Sequence, residues 1–356
     1  MLNLLILTDE LNYSDGVTSH LFYLLTELKK TNKLAIFLMY SGGDSGKRFI
    51  DSGINVLENK FLSHQNRSIK NFTRIILNVF NFSKKNKINI IHSHNHYAAN
   101  IGHRVSKLIS VRTIQTIHGL IPEAGRLSHF NAGKFISVSE PIVGYILKNK
   151  ISSKENVKLI RHGVPLIENL KSKDVDCIKI LCASRLVYEK GVDIFIRAVK
   201  IVANKCKGKA EFMIAGTGIY ENELKSLCKD LGVEVTFLGN VKNIIELLMD
   251  THIFVMPSRI KSEGFPMSIV EAGFTKNLII SSRFDSLDYF FKNGTDGLTF
   301  EINNYVELAS KIIFALENPG EVNQMRENFY NEALKLFNVQ NSAGKHLELY
   351  RECLSQ

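Results

Sequence analysis

The sequence contains no hydrophobic run long enough to span a bilayer, which takes about 18 to 20 apolar residues. The apolar N-terminal stretch Met1–Leu7 has no basic flank, and Asp9 and Glu10 follow it directly. This arrangement favours a first buried strand over a secretory signal peptide. Internal repeats and low-complexity tracts are absent as well, so the chain is expected to be globular.

Cysteine is scarce and shows no pairing pattern. The five cysteines lie in the second half of the chain, their number is odd, and none forms a Cys-x-x-Cys pair. This pattern indicates free thiols in a reducing cytoplasm rather than a disulfide framework. At 356 residues, with 45% hydrophobic and 22% charged residues, the chain is long enough for two soluble domains.

Short apolar runs alternate with amphipathic stretches along the whole chain, as in β-α-β units with buried parallel strands. The predicted strands are Leu2–Leu7, Leu34–Met39, Ile88–Ile91, Thr113–Ile117, Phe135–Val138, Ile178–Ala183, Glu211–Ala215, Val235–Leu238, Ile253–Met256 and Leu278–Ser281. The predicted helices include Thr18–Lys30, Gly191–Lys205 and Ile219–Leu231, and a further helical pattern runs from Glu332 to Cys353.

A polar segment interrupts this rhythm at residues 168–177, which we predict to be an interdomain linker. The fold class is therefore α/β, with Rossmann-like doubly wound domains at residues 1–167 and 178–335 facing each other across a cleft. Ligands of such sheets bind beyond the carboxyl ends of the strands, so the loops that follow strands are the candidate binding segments.

The excess of positive over negative charge is confined to the first half of the chain. Residues 1–168 hold 22 Lys and Arg against 11 Asp and Glu, whereas residues 169–356 hold 23 against 24. This excess predicts an anionic partner for the first half, or only a solubilising surface. No nucleic-acid motif or aromatic–basic interleaving is present, so no nucleic acid is expected. Peripheral contact with an anionic membrane, or a phospholipid-linked substrate, is preferred, which places the protein in the cytoplasm or at the inner face of the cell membrane.

The segment Pro257–Gly273 holds two glutamates, Glu263 and Glu271, separated by seven residues. Pro266 suits the first position of a helix, which puts Glu263 in the preceding loop and Glu271 inside the helix. A helix N-terminus attracts a diphosphate, and a carboxylate accepts hydrogen bonds from ribose hydroxyls. The alternative is a pair of solvated glutamates.

A second candidate segment follows the predicted strand Ile178–Ala183. Arg185 and Lys190 bracket a loop, and Gly191 lets the backbone turn into the next helix. Two cations at the carboxyl end of a strand can neutralise a departing diphosphate. A structural ion pair is the alternative role.

Together these segments resemble glycosyltransferase family four, with its Glu-x7-Glu signature and its Arg-x4-Lys-Gly loop, and the resemblance extends over essentially the whole chain. It implies a GT-B fold and a retaining hexosyltransferase that needs neither a metal ion nor a cofactor, because the nucleotide-diphosphate sugar is a co-substrate. We expect UDP or GDP as the nucleotide.

The resemblance also implies roles for individual residues. Glu263 contacts the donor sugar, Arg185 and Lys190 hold the diphosphate, and Glu271 holds the ribose. His118, which follows the predicted strand Thr113–Ile117, also contacts the donor sugar; a core or capping histidine is the alternative role. The remaining donor-binding positions that it implies are Gly16, Gly216, Gly239, Val241, Gly264, Phe265, Pro266, Met267 and Ser268. It further implies that the N-terminal domain binds the acceptor and that the C-terminal domain binds the nucleotide sugar. A C-terminal helix, residues 336–356, is implied to return to the N-terminal domain.

The chain departs from the family pattern at two places. The usual Gly-Gly pair is replaced by Asp15-Gly16, and His162 replaces an asparagine near the domain junction. The segment His92–His96 has a spacing that suits zinc, but it coincides with a His-x-His segment of the family, so no metal is expected. Asp174-Val175-Asp176 resembles a metal-binding Asp-x-Asp motif but lies in the predicted linker. An oxidoreductase is disfavoured, because no third glycine follows Gly216 and Gly218.

The predicted function is the transfer of a hexose or N-acetylhexosamine from a nucleotide sugar to a hydroxyl of a glycan or lipid-linked acceptor. Synthesis of bacterial-type surface polysaccharide or lipopolysaccharide is the expected setting. The alternative is a non-catalytic sugar-nucleotide-binding subunit of a glycosyltransferase complex.

Overall fold

The computed structural model describes residues 2–119, 130–168, 170 and 177–355, which form two compact units. The N-terminal unit comprises Met1–Pro165 and Val339–Gln356, and the C-terminal unit comprises Leu166–Asn338. Most of the predicted linker, including the whole Asp174-Val175-Asp176 motif, lies outside the described residues.

The N-terminal unit is built on a seven-stranded parallel sheet in the order β3-β2-β1-β4-β5-β6-β7. Alternate residues of β1 pack on opposite faces of the sheet: Leu4 and Ile6 belong to one core, Leu5 and Leu7 to the other. Both faces are therefore covered, which explains the continuous apolar runs. The strands are β1 (Leu2–Leu7), β2 (Leu34–Tyr40), β3 (Asn55–Glu58), β4 (Ile90–Ser93), β5 (Arg112–Ile117), β6 (Lys134–Ser137) and β7 (Val157–Leu159).

Within the described part of this unit, six helices flank the sheet, and the last of them comes from the C-terminal segment of the chain. Helix α12 packs on α1, and Leu349 and Tyr350 share a core with Leu21 and Leu24. The helices of this unit are α1 (Gly16–Lys30), α2 (Gly46–Asp51), α3 (Ile69–Lys85), α4 (His96–Ser106), α5 (Glu140–Lys148) and α12 (Val339–Ser355).

The C-terminal unit has a six-stranded parallel sheet in the order β10-β9-β8-β11-β12-β13. Its strands are β8 (Ile178–Ala183), β9 (Ala210–Ala215), β10 (Thr236–Gly239), β11 (Ile253–Met256), β12 (Leu278–Ser282) and β13 (Leu298–Phe300). Its helices are α6 (Val192–Lys205), α7 (Glu221–Leu231), α8 (Ile244–Met249), α9 (Met267–Phe274), α10 (Tyr305–Glu317) and α11 (Pro319–Leu336). The prediction of two Rossmann-like domains is thus confirmed.

Each sheet reverses its strand order at one place, between β1 and β4 in the first unit and between β8 and β11 in the second. Loops that leave the carboxyl ends of such neighbouring strands diverge to opposite sides of the sheet and open a crevice for ligands. The loops after β8 and β11 carry most of the predicted donor-binding residues.

The predicted helical stretch from Glu332 to Cys353 is wrong as one element, because the chain breaks between α11 and α12. Phe337 is fully buried and packs its ring against Phe265 and Phe290 of the C-terminal unit. Two residues later the Val339 N–H donates to the Val164 carbonyl of the N-terminal unit. The break is therefore where the chain leaves one unit for the other.

Other differences are smaller. The predicted strand Ile88–Ile91 lies two residues later, at Ile90–Ser93, and α1 begins at Gly16 rather than Thr18 because Asp15 caps it by accepting from the Thr18 N–H. The three-to-four-residue strands β3, β7 and β13 were not predicted. Among the described helices, none has the length and apolar character needed to cross a membrane.

Candidate functional site

The loops after β8 and β11 touch each other through their backbones. Gly191 has a φ of 66°, and a Cβ on this residue would lie 2.0 Å from the carbonyl oxygen of Pro257. Only glycine allows both this conformation and this approach. Two segments that are distant in sequence are therefore held against each other at the reversal point of the sheet.

Lys190 and Glu263 form an ion pair across these loops. The Lys190 Nζ lies 2.9 Å from Oε1 and 3.1 Å from Oε2 of Glu263, and only 17% and 15% of the two side chains are exposed. The Ser258 hydroxyl donates to Glu263 Oε2 at 3.2 Å, and the Ser286 hydroxyl donates to the Glu263 carbonyl at 2.7 Å. The two predicted residues are thus brought together, and each restricts the position of the other.

Arg185 lies in the same loop as Lys190 but has a different environment. Its side chain is exposed and makes no hydrogen bond or ion pair with any described residue. A guanidinium with no protein partner can bind an anion without first breaking an existing contact. The two predicted diphosphate ligands therefore differ, one held by a carboxylate and one available.

Helix α9 begins one residue later than predicted, with Pro266 at the N-cap rather than at the first helical position. Pro266 has a ψ of 88°, outside the helical range, while its carbonyl already accepts from the Ile269 N–H. Among the described residues, no side chain caps this helix, and its first turn holds no acidic residue. The N–H groups of Met267 and Ser268 thus lie at a positive helix end that suits a phosphate.

Glu271 lies in the second turn of α9, and only 3% of the residue is exposed. Gly264 and Phe265 connect Glu263 to the N-cap, and the Phe265 ring packs 5.3 Å from that of Phe337. The structure therefore places the whole predicted run from Glu263 to Glu271 in one loop and the two helical turns that follow it.

The loops after β9 and β10 complete this edge of the sheet. Gly216 has a φ of 125°, a Cβ there would lie 1.9 Å from the Ser184 carbonyl oxygen, and its N–H donates to the Gly239 carbonyl at 2.7 Å. A Cβ on Gly239 would meet open space, and the half-buried Val241 follows two residues later. The loops after β8, β9, β10 and β11, which carry the predicted donor-binding residues of the C-terminal unit, therefore all lie at the same edge of the sheet.

Sequence reasoning missed Arg259. Its guanidinium donates to both oxygens of Asp193, at 2.8 and 2.7 Å, and to the Tyr188 carbonyl at 2.7 Å. It also lies 4.1 Å from the centre of the Tyr188 ring, and the hydrogen bonds to Asp193 raise the pKa of Arg259. Arg259 thus fastens the loop after β11 to the first turn of α6, and only its position beside the Glu-x7-Glu segment gave a signal in the sequence.

His118, in the N-terminal unit, belongs to a chain of three hydrogen-bonded imidazoles. Its Nε2 lies 3.0 Å from Nδ1 of His94, and its Nδ1 lies 3.1 Å from Nε2 of His162. Both ring nitrogens are therefore engaged. A hydroxyl of a donor sugar would have to replace one of these two bonds, which the sequence did not indicate.

Three further histidines extend this cluster. His20 stacks on His162 with ring centres 3.8 Å apart, His92 binds Thr116 and Tyr350, and the Nδ1–H of His346 donates to the Ser342 carbonyl within its own helix. Burial lowers the pKa of all six, to about 3 for His118 and about 4 for His346. Across the described part of the chain, no group of histidines, cysteines and carboxylates has the geometry to hold a metal ion.

Gly16 is the first residue of α1 and is exposed. The carboxylate of Asp15 caps the same helix end and accepts from the Thr18 N–H. This negative charge occupies the place where the family resemblance implied a phosphate or acceptor contact, and it disfavours a phosphate there.

Two family models match the chain in succession. The model described as Glycosyltransferase Family 4 matches residues 14–167, and the model described as Glycosyl transferases group 1 matches residues 167–335. The two matches meet at residue 167, so together they account for residues 14–335.

Individual proteins show the same similarity. A human phosphatidylinositol N-acetylglucosaminyltransferase subunit is 26% identical over 344 residues, which is 88% of this chain and 70% of that protein. The Campylobacter jejuni N,N'-diacetylbacillosaminyl-diphospho-undecaprenol alpha-1,3-N-acetylgalactosaminyltransferase is 31% identical over 48% of this chain and 44% of its own length. The crystal structure of Anabaena HepE in complex with UDP-glucose superimposes with a TM-score of 0.82 over 100% of both chains at 18% identity. The chain belongs to glycosyltransferase family four and has the GT-B fold.

Proposed function

We propose that this glycosyltransferase is a retaining, metal-independent enzyme that moves a hexose or N-acetylhexosamine from a UDP-sugar to a hydroxyl of a lipid-linked acceptor. The observation that carries the proposal is that Arg185, Lys190, Glu263 and the uncapped N-terminus of α9 all lie at the carboxyl ends of the neighbouring strands β8 and β11. UDP is preferred as the nucleotide because it is bound in the HepE structure.

In this proposal, these residues stabilise a departing diphosphate. The bond between the anomeric carbon and the diphosphate oxygen breaks, and the bond to the acceptor oxygen forms on the same face of the sugar. The acceptor proton passes to the departing diphosphate. Arg185, the third N–H of Lys190 and the first turn of α9 supply positive charge where the negative charge grows, as preorganised donors do in other enzymes.

The acceptor is proposed from the chemistry of the relatives. The human relative is named for phosphatidylinositol and the Campylobacter relative for a diphospho-undecaprenol, both lipids that carry phosphate. The excess of positive charge in the sequence lies in the N-terminal half, and the family resemblance implies that this half binds the acceptor. We therefore propose a lipid-linked acceptor and peripheral contact with an anionic membrane.

Nucleotide binding is the first test. In calorimetry and thermal-shift measurements with EDTA present, UDP is expected to bind and to stabilise the protein more than GDP or ADP. A ligand at about 100 times its Kd adds roughly 2.7 kcal/mol to the free energy of unfolding. Glu271→Ala is expected to weaken UDP about tenfold or more, since a hydrogen bond to a charged group contributes about 1.5–3 kcal/mol.

Glu271→Gln keeps the volume of this buried side chain and separates lost binding from lost folding. Glu234→Ala, at an exposed position on the same unit, is the matched control and is expected to bind UDP normally. Equal UDP affinity in Glu271→Ala and the wild type would contradict the assignment of Glu271 to the ribose.

Chelation tests the metal-independent scheme. Transfer from the donor found in the binding screen is expected to continue at an unchanged rate in EDTA, because Arg185, Lys190 and the α9 N-terminus supply the positive charge. Loss of turnover in EDTA, with recovery on adding Mg²⁺ or Mn²⁺, would refute the scheme. Binding of UDP without any transfer or hydrolysis would instead favour the non-catalytic role.

A further inference from the structure

The most uneven charge distribution in the molecule lies between Glu58 and Glu123. These 64 intervening residues contain ten lysines and arginines and no aspartate or glutamate. All ten cationic side chains that fall in this stretch are exposed, and none forms an ion pair with a described residue. The proposed transfer chemistry uses none of them.

Helix α3 concentrates these charges along one side. Lys70, Arg74, Lys84 and Lys85 are exposed, whereas Ile75 and Val79 on the opposite side are fully buried in the core. The four cations are separated by four, ten and one residues, and at 3.6 residues per turn they fall within about 100° of one another around the helix axis, so they line one face of the helix. At about 1.5 Å per residue this face is roughly 22 Å long.

Helix α4 packs beside α3 and extends the same surface. Both helices lead into neighbouring parallel strands, β4 and β5, so their C-termini lie at the same end of the sheet. Arg104 and Lys107 are exposed at the C-terminal end of α4, which lies at the same end of the sheet as Lys84 and Lys85. We call these six cations the basic face.

Aliphatic side chains lie among the cations of the basic face. Ile69 is 88% exposed, Leu77 is 52% exposed and Leu108 is 60% exposed. Ile69 precedes Lys70, Leu77 lies between Arg74 and Lys84 on the helix surface, and Leu108 follows Lys107. A surface that serves only solubility gains nothing from exposed aliphatic groups, whereas a lipid interface accepts both cations and aliphatic side chains.

We propose that the basic face docks on an anionic phospholipid bilayer. The proposal rests on the lipid-linked acceptor of the proposed function, which would be presented at such a surface. Lysines and arginines near an anionic leaflet are attracted by its surface potential, and aliphatic groups enter the headgroup region. A nucleic acid fits less well, because sequence-tolerant binding to single strands uses exposed aromatic platforms and this face exposes aliphatic groups instead.

The direct test is sedimentation with vesicles of phosphatidylcholine containing about a third phosphatidylglycerol, at low and at physiological salt. The wild type is expected to bind these vesicles and not pure phosphatidylcholine. The variant Lys70→Glu, Arg74→Glu, Lys84→Glu, Lys85→Glu is expected to lose at least about tenfold in affinity. The control Lys33→Glu, Lys148→Glu, Lys154→Glu, Lys345→Glu changes the net charge equally at exposed positions of the same unit and is expected to lose about twofold or less.

Folding and alternative ligands are controlled in the same preparations. Because Lys84 and Lys85 lie in the last turn of α3, glutamate there opposes the helix dipole, so the four Lys/Arg→Gln changes are made as well. The triple change Ile69→Ser, Leu77→Ser, Leu108→Ser is expected to weaken the binding that remains at physiological salt. Equal vesicle binding by the basic-face and control variants would overturn the proposal, and so would tighter binding of a DNA or RNA oligonucleotide or of free diphosphate at this face.

UDP binding, and transfer to a water-soluble acceptor analogue, are measured on every variant. The basic-face variants are expected to lose vesicle binding. They are expected to keep UDP binding and transfer to the water-soluble acceptor analogue. If the wild type binds UDP but no anionic vesicle, the docking proposal and the proposed membrane contact fail, while the proposed sugar transfer stands. If it binds vesicles but neither UDP nor another nucleotide, the proposed function fails and the docking result stands.

Discussion

Replacing Arg185 by alanine is expected to lower kcat by about 10²-fold or more, which is the loss typical of a missing charge-stabilising donor. The midpoint of thermal unfolding is expected to stay unchanged. Arg185 is exposed and has no partner among the described residues, so its removal breaks no protein contact. A loss of turnover therefore reports its action on the substrate. Arg197→Ala, an exposed arginine on α6, is the control and is expected to retain full activity.

Lys190→Ala is expected to lower kcat to a similar extent, and in addition to lower stability. The removal leaves the largely buried Glu263 carboxylate without its cation, which costs about 1–3 kcal/mol for an unsatisfied buried group. Adding Glu263→Gln to Lys190→Ala is expected to restore stability but not turnover. Near-normal kcat in both single alanine variants would contradict the diphosphate assignment.

The positions of these residues were predictable because the pattern that identifies a buried strand also identifies the loop after it. The loop that contains Arg185 directly follows the run Ile178–Ala183, and the loop that contains Glu263 directly follows the run Ile253–Met256. In parallel sheets the carboxyl ends of strands share one edge, so separate segments are predicted to meet there. The fold class followed from the same runs, whereas the family followed from the resemblance carried by the Glu-x7-Glu and Arg-x4-Lys-Gly segments, and both predictions were confirmed.

The pairings within the site were not predictable, because the partners lie far apart in sequence. Lys190 and Glu263 are 73 residues apart, and Arg259 and Asp193 are 66 residues apart. Local periodicity says which residues are buried or follow a strand, but it does not select one carboxylate among many for a given cation. The shift of Pro266 from the first helical position to the N-cap has a similar origin, since the neighbouring Phe265 packs against Phe290 and Phe337, which are distant in sequence.

The histidine chain was missed for the same reason. His94, His118 and His162 follow three different strands, and their imidazoles meet only after β4, β5 and β7 are aligned in one sheet. The sequence suggested a sugar contact for His118 and a zinc-like spacing for His92–His96. Neither pattern indicated that six imidazoles would be buried together.

This burial predicts that the N-terminal unit unfolds in mild acid before the C-terminal unit does. A histidine whose pKa is lowered by folding stays neutral in the folded protein, whereas the unfolded chain takes up a proton below about pH 6.5. The stability that depends on the neutral form is therefore complete above pH 6.5 and is lost as the pH falls. For each such histidine, the free energy of unfolding falls by about 1.4 kcal/mol per pH unit in this range.

The pKa values of His118 and His346 are about 3 and about 4. At pH 5 these two histidines together lower the free energy of unfolding by about 4 kcal/mol. That is a large part of the roughly 5–15 kcal/mol that stabilises a typical domain. Carboxylates titrate mainly below this range, near pH 4, so the interval between pH 6.5 and 5 reports the histidines. The C-terminal unit is an internal control, because only one of the 11 histidines of the chain, His252, falls within it.

Hydrogen exchange read by mass spectrometry at a series of pH values separates the two units, each followed through its own peptides. Peptides from β1, β4 and β5 are expected to lose protection between pH 6 and 4, while peptides from β8 and β11 keep theirs. His20→Leu removes an imidazole whose two nitrogens have no hydrogen-bond partner among the described residues, and it is expected to shift the transition to lower pH. If both units lost protection at the same pH, or His20→Leu left the transition unchanged, burial of these imidazoles would not be what limits stability in acid.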